Sequence, residues 1–227
     1  MVVMSFKRQV AVTSSLPCYK IAESLNMNNM VNLHELYSIR AAVESDIPQI
    51  LDIYNERVLN STCLFMYNPV SLDNRLTWFM ETKAKGYPII VAVDRKTNKA
   101  IGYASLSNFR PHTAYVLSSE ISLYIHQNHQ RNGLGYTLLK EMLRIANEMK
   151  LKSVIASITS ENEGSILLFS KFGFKHAGIF HNVGYKFGKF LDVTFLEYIT
   201  DAQVEENKMV PSFVPFNWNS YVYNGGE

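Results

Sequence analysis

Cysteine is scarce in this chain: Cys18 and Cys63 are its whole supply among 227 residues, in no pairing or metal-ligand spacing. A disulfide framework and a thiolate metal cluster are excluded, and a reducing compartment is the simple expectation. No apolar run is long enough for a membrane span. Charge of one sign is also lacking. The formal net charge is +2, with no basic block and no basic helical stripe, so there is no electrostatic case for nucleic acid. Acids are missing from the first 22 residues, which carry Lys7, Arg8 and Lys20. That bias fits a mitochondrial transit segment, but arginine is sparse and no amphipathic period is visible. An irregular extension, or a start at Met27 or Met30, fits equally, and the expected location is the cytoplasm with mitochondrial import as the alternative.

What is present is ordinary core-forming material: 47% apolar and 19% charged residues, enough for one sizeable α/β domain. Residues 1–36 have no period and read as an extension. Residues 37–200 read as the domain, and 201–227 as a tail rich in aromatics (Phe213, Phe216, Trp218, Tyr221, Tyr223) that either docks on the domain, meets a partner or stays loose. Tyr37–Ala41 alternates like a short strand. Asp46 with Gln49 forms a capping-box pattern, opening a helix that buries Ile47, Ile50, Leu51, Tyr54 and Val58. A second helix follows Ser71 and carries Leu76, Phe79 and Met80. The period then changes: 89–93 and 101–106 predict an antiparallel hairpin, and Ser119–Ile125 the next strand. An amphipathic helix spans Leu134–Met149, and a strand spans Val154–Ile158. Ser160 with Glu163 predicts a capped helix through Phe172, ended by Gly173. Strands at 174–177 and 192–198 flank a turn region between Gly184 and Gly188. The order is mixed α/β around a central sheet.

The informative stretch is His129-Gln130-Arg131-Asn132-Gly133-Leu134-Gly135, between a strand and a helix. Two glycines allow a tight turn, and the first-turn N–H groups of the helix point outward where its dipole is positive. Such a junction suits a phosphate-bearing cofactor. It fits a plain strand–helix turn as well, and the motif alone does not separate the two.

Gln130-Arg131-Asn132-Gly133-Leu134-Gly135 resembles the Q/R-x-x-G-x-G/A signature of the GCN5-related N-acetyltransferases, over about residues 38–198. Ile39-Arg40-Ala41-Ala42, Ser61-Thr62 with Phe65, Phe109-Arg110 with Ala114-Tyr115, Glu120, and Val183–Gly188 followed by Leu191-Asp192-Val193 are similar to the phosphinothricin/methionine-sulfone acetyltransferase group. The resemblance implies a mixed sheet flanked by helices and splayed between its fourth and fifth strands. It implies acetyl-CoA as co-substrate, no metal, a small amine acceptor and a homodimer.

By the same resemblance, acetyl-CoA is held by Leu123, Ile125, Gln130, Arg131, Asn132, Gly133, Leu134, Gly135, Asn162 and Ser165. Phe65, Arg110 and Tyr115 face the acceptor. Glu120 is the general base, since amine attack on a thioester requires that the ammonium lose a proton. A half-buried carboxylate can have its pKa raised toward that task. A salt-bridged Glu is the competing reading. Asn162 is either a pantetheine ligand or a helix cap. The Tyr that many relatives use as general acid is replaced by Phe169, leaving Tyr185 as a candidate hydroxyl. Arg110 is either a carboxylate clamp or a solvated loop residue, and His112 and Leu117-Ser118-Ser119 depart from the group's pattern. Two alternatives to a small-molecule enzyme stand: a protein or peptide N-acetyltransferase, and a non-catalytic acyl-CoA-binding module.

Overall fold

The computed structural model describes residues 35–203 and 209–225. The possible transit segment and Cys18 lie outside them. Seven strands form one sheet in the order β1-β2-β3-β4-β5-β7-β6. The strands are β1 (Tyr37–Ala41), β2 (Ile89–Asp94), β3 (Lys99–Asn108), β4 (Ser118–Ile125), β5 (Ser153–Thr159), β6 (Lys175–Lys186) and β7 (Lys189–Ile199). The helices are α1 (Ile47–Asn60), α2 (Leu72–Ala84), α3 (Leu134–Glu148) and α4 (Glu163–Lys171). All neighbours pair antiparallel except β4 and β5.

That parallel pair shapes the molecule. β4 and β5 are in register only at Ser118–Ser153, Ser119–Val154 and Glu120–Ile155. Beyond Glu120, β4 stays with β3 as far as Ile125, while β5 stays with β7 as far as Thr159. The sheet therefore splits at Glu120, and its last paired residue on β4 is the one expected to be the base.

Two cores cover the faces of the sheet. One gathers α3, the inward residues Ile121 and Ile125 of β4, and Phe169 of α4. The other packs α1 and α2 against Val91, Val93 and Tyr103. Strand alternation sends Glu120, Ser122 and Tyr124 toward this second face.

Several local expectations are corrected. Asp46 does not cap α1 with its side chain. It is buried, takes two hydrogen bonds from Arg40 at 2.6 and 2.8 Å and one from the Val43 N–H at 2.8 Å. A buried carboxylate gains more from a bidentate guanidinium than from one backbone N–H, and the Arg40 pKa is raised by that bond. Ile53 is buried in α1 where Leu51 and Tyr54 were expected to be, and both of those are half-buried. Met80 is exposed. α2 follows Ser71 as expected, and Ser71 caps it, accepting from the Asn74 N–H at 3.2 Å. The cap of α4 is Asn162, not Ser160: its Oδ1 accepts from the Ser165 N–H at 3.2 Å, while Ser160 pairs with Thr194 at 2.8 Å. The stretch around Gly184 is strand, not turn, and the chain reverses instead at Phe187 and Gly188, both at positive φ.

The tail docks on its own domain. Phe213 stacks on Tyr87, Phe216 is buried, and the Val214 and Phe216 N–H groups donate to Met149 and Gly86 at 2.7 and 2.9 Å. Tyr221 donates to Oε1 of the buried Glu141 of α3 at 2.7 Å, and Arg144 donates to both oxygens of that carboxylate, at 2.7 and 3.1 Å. Without a helical or strand period, only these tertiary contacts fix it.

Candidate active site

The turn into α3 is built from backbone. Arg131 and Gly133 take positive φ, +59° and +83°, and Gly133 is the residue before the helix. Gly133, without a Cβ, adopts that conformation at little cost, and no side chain caps the first N–H groups of α3. Gln130 turns back and donates to the Ile125 carbonyl at 3.3 Å. Gly135 faces Leu168 of α4, where a Cβ would come within 3.3 Å. A cavity of about 610 Å³ lies over this turn, lined in part by Gln130, Arg131, Gly133, Gly135, Asn162 and Ser165. Leu123 and Ile125 of β4 and Arg57 of α1 also line it.

A second chamber of about 230 Å³ occupies the split of the sheet. Glu120, Ser122, Ser157, Thr159 and Phe169 line it, with Cys63 and Leu64 from the segment after α1. The two cavities share Cys63, Leu123, Tyr124, Asn162 and Ser165, so they adjoin end to end. Asn162 therefore fits both expected readings: it caps α4 and stands where the cavities meet.

Glu120 is half-buried and accepts a hydrogen bond from Ser157 at 2.6 Å across the split. Ser157 escaped the sequence reading because only the tertiary pairing brings β5 beside β4. Tyr124, also missed, has its pKa raised above the ordinary phenol value by burial. Burial likewise pushes the Cys63 thiol up, although Ser61 hydrogen-bonds its Sγ at 2.9 Å. Both groups hold their protons at neutral pH.

Of the predicted site residues, Asn132, Leu134, Phe65, Arg110, Tyr115 and Tyr185 line neither of these two cavities. Tyr185 is 51% exposed and meets Phe190 edge-on at 5.0 Å. Arg110 lies over the Phe109 ring at 4.1 Å, and Tyr115 meets the same ring edge-on at 5.9 Å. Phe65 packs on Gly184 so closely that a Cβ there would come within 2.3 Å of the ring. Phe169 lines the chamber but carries no hydroxyl. No group of three metal-ligating side chains occurs among the described residues, and none of their helices is long and apolar enough to cross a membrane.

A sheet split at a carboxylate, with a cavity over a glycine turn and helix start adjoining it, is the frame of an acyl-CoA-dependent transferase. The family model of the acetyltransferase (GNAT) domain matches residues 39–195, and the chain belongs to that family. The enzyme is an acetyl-CoA-dependent N-acetyltransferase. Its relatives include an L-methionine sulfoximine/L-methionine sulfone acetyltransferase of Pseudomonas aeruginosa. It is 39% identical over 164 residues, which are 72% of this chain and 95% of the relative. The L-amino acid N-acyltransferase MnaT of Escherichia coli is 34% identical over 168 residues, 74% of this chain and 96% of its own. Among solved structures, a phosphinothricin acetyltransferase from Sinorhizobium meliloti in complex with acetyl-CoA superposes with a TM-score of 0.73. It is 30% identical, and the match covers 77% of this chain and 95% of that one.

Proposed function

We propose that this enzyme, as a cytoplasmic homodimer, acetylates the primary amine of a small amino-acid-like acceptor by direct transfer, with Glu120 as general base. The position of Glu120 carries the reading. It sits where the sheet splits, on a chamber that adjoins the cavity over the glycine turn, held by Ser157. The relatives' named substrates, methionine sulfoximine and phosphinothricin, are amino-acid-like amines. Exposed Phe180, Val183 and Phe190 on the β6–β7 hairpin support a second copy packing there.

In this reading the pyrophosphate of acetyl-CoA lies on the N–H groups of Arg131–Gly135, with the Arg131 guanidinium as a charged partner. The pantetheine arm runs past Leu123, Ile125, Asn162 and Ser165 into the split. The acceptor enters from the α1–α2 side, and Phe65, Arg110 and Tyr115, which the resemblance assigns to it, would meet it outside the chamber. Its ammonium gives a proton to Glu120, and the freed nitrogen pair attacks the acetyl carbon. The carbon–sulfur bond breaks, its electron pair leaves on the CoA sulfur, and the proton still in excess on nitrogen passes to that thiolate, giving the neutral amide and CoA thiol. A thiolate is a fair leaving group, so Phe169 in place of a tyrosine is no obstacle.

The test is CoA release on a panel of amines, with acetyl-CoA binding followed by thermal shift. Methionine sulfone, methionine sulfoximine, phosphinothricin and common amino acids form one arm, and peptides with free N-termini the other. Turnover in the first arm, lost in Glu120→Gln while acetyl-CoA still stabilises the fold, is the expected result. Turnover of peptides alone moves the enzyme to the protein-modifying class. Binding without turnover of any amine leaves only an acyl-CoA-binding module.

A further inference from the structure

Lys186, near the end of β6, has no part in the chemistry above, yet it is only 2% exposed. Its ammonium has three N–H donors, and each has a carbonyl: Val58 at 2.6 Å, Ser61 at 2.8 Å and Leu64 at 2.7 Å. Val58 belongs to the last turn of α1, whose terminal carbonyls have no partner within the helix. Ser61 and Leu64 belong to the irregular segment that follows. One side chain, more than a hundred residues away in sequence, thus closes the helix end and sets the path of the chain beyond it.

The other anchors of that segment point the same way. The Thr62 carbonyl accepts from Thr159 of β5 at 2.7 Å. The Thr62 hydroxyl donates to Glu161 at 2.6 Å, and Glu161 is held in turn by Lys189 of β7 at 2.6 Å. Phe65 lies against Gly184, and the Tyr67 hydroxyl donates to the Tyr185 carbonyl. All these partners belong to the β5–β7–β6 half of the split sheet, whereas α1 packs on the other half. The segment therefore spans the split, and its Cys63 and Leu64 wall the chamber that holds Glu120.

We propose that Lys186 is a positioning residue that fastens residues 61–67 as a clasp across the split sheet, and so shapes the acceptor end of the chamber. This rests on the reading of that chamber as the place where the amine meets the thioester. A buried ammonium suits the task because its three donors can converge on carbonyls at different angles, and leaving those carbonyls without donors in a buried site is costly.

Lys186→Met tests it, since the side chain keeps its bulk and loses its charge. Amide hydrogen exchange in residues 61–67 should quicken by at least about tenfold, with exchange in α3 unchanged. The acceptor KM should rise by about tenfold or more while the acetyl-CoA Kd stays within about threefold. Acetyl-CoA hydrolysis without acceptor should rise, as water reaches an opened chamber. Lys186→Arg keeps the charge but cannot place the same three donors, and should fall between. Unchanged exchange in 61–67, or equal losses for acetyl-CoA and acceptor, would overturn the proposal. If Lys186→Met does not fold, Lys186→Arg carries the same readouts, and failure of both to fold overturns a role confined to the clasp. The exchange and acetyl-CoA measurements need no acceptor, so they decide the clasp even if the wild-type enzyme acetylates no amine in the panel.

Discussion

The two ends of the proposed active site are made in opposite ways. The proposed donor end is mostly one continuous run, β4 into α3, where Arg131 and Gly133 at positive φ open the backbone amides of the helix start. The acceptor end is assembled from α1, β4, β5 and the β6–β7 hairpin, and side chains from distant positions hold it. A site made of backbone is defined by dihedral angles and is insensitive to most side-chain changes. A site made of long-range side-chain bonds can be reshaped by one substitution. The same catalyst can thus keep its donor while its acceptor changes.

The sharpest break in that comparison is at the point the two ends share. Glu120→Gln should cut kcat/KM for the amine by about 10²–10⁴, the usual worth of a positioned base. Acetyl-CoA affinity, measured by calorimetry, should stay within about threefold, because the carboxylate does not face the glycine turn.

Gly133→Val tests the donor end alone. A β-branched residue at φ +83° is strained and puts a side chain over the first-turn amides. The acetyl-CoA Kd should rise by about tenfold or more, with the acceptor KM little changed at saturating acetyl-CoA.

Gly184→Ala is the counterpart at the acceptor end. Its Cβ would displace Phe65, which is partly exposed and can swing away. The acceptor KM should rise by about three- to tenfold with an unchanged acetyl-CoA Kd, a split that steady-state kinetics resolves.

The smallest effect is electrostatic. Hydrogen bonds from Lys189 and Thr62 hold the Glu161 carboxyl below its ordinary value of 4.5. A carboxylate whose folded pKa is depressed stabilises the fold fully above its unfolded pKa, and that contribution is lost as pH falls through the folded value. Amide exchange in residues 61–67, corrected for intrinsic rates, should therefore loosen only below about pH 4.5. Glu161→Gln should remove most of that acid dependence, by a few tenths in log rate, because both partners are exposed and screened.

How much of this was legible in the sequence follows the same division. The strand, glycine turn and amphipathic helix at 119–149 carry their signals within a few residues of each other, and they stand where the pattern put them. Asn162 was legible as a helix-start residue for the same reason. The failures are tertiary. Asp46 is taken by Arg40 and the Val43 N–H, although its spacing to Gln49 was that of a cap. Ser157 gave no local sign, and Lys186 stood only as one member of the Val183–Gly188 stretch with nothing to say what it holds, because a serine in a strand and a lysine before a turn are ordinary residues until a partner strand or helix end is placed beside them.

The sequence by itself determined the elements, the glycine turn at the start of α3 and the family resemblance, and with them the donor. Those properties live in hydrophobic period, glycine placement and backbone dihedrals, all set over a few neighbouring residues. The tertiary structure alone decided that β4 and β5 part at Glu120, that Ser157 reaches that carboxylate, and that Lys186 ties the segment after α1 across the gap. These are contacts between residues tens to more than a hundred positions apart, and only the packing of the whole sheet brings them within a hydrogen bond's length.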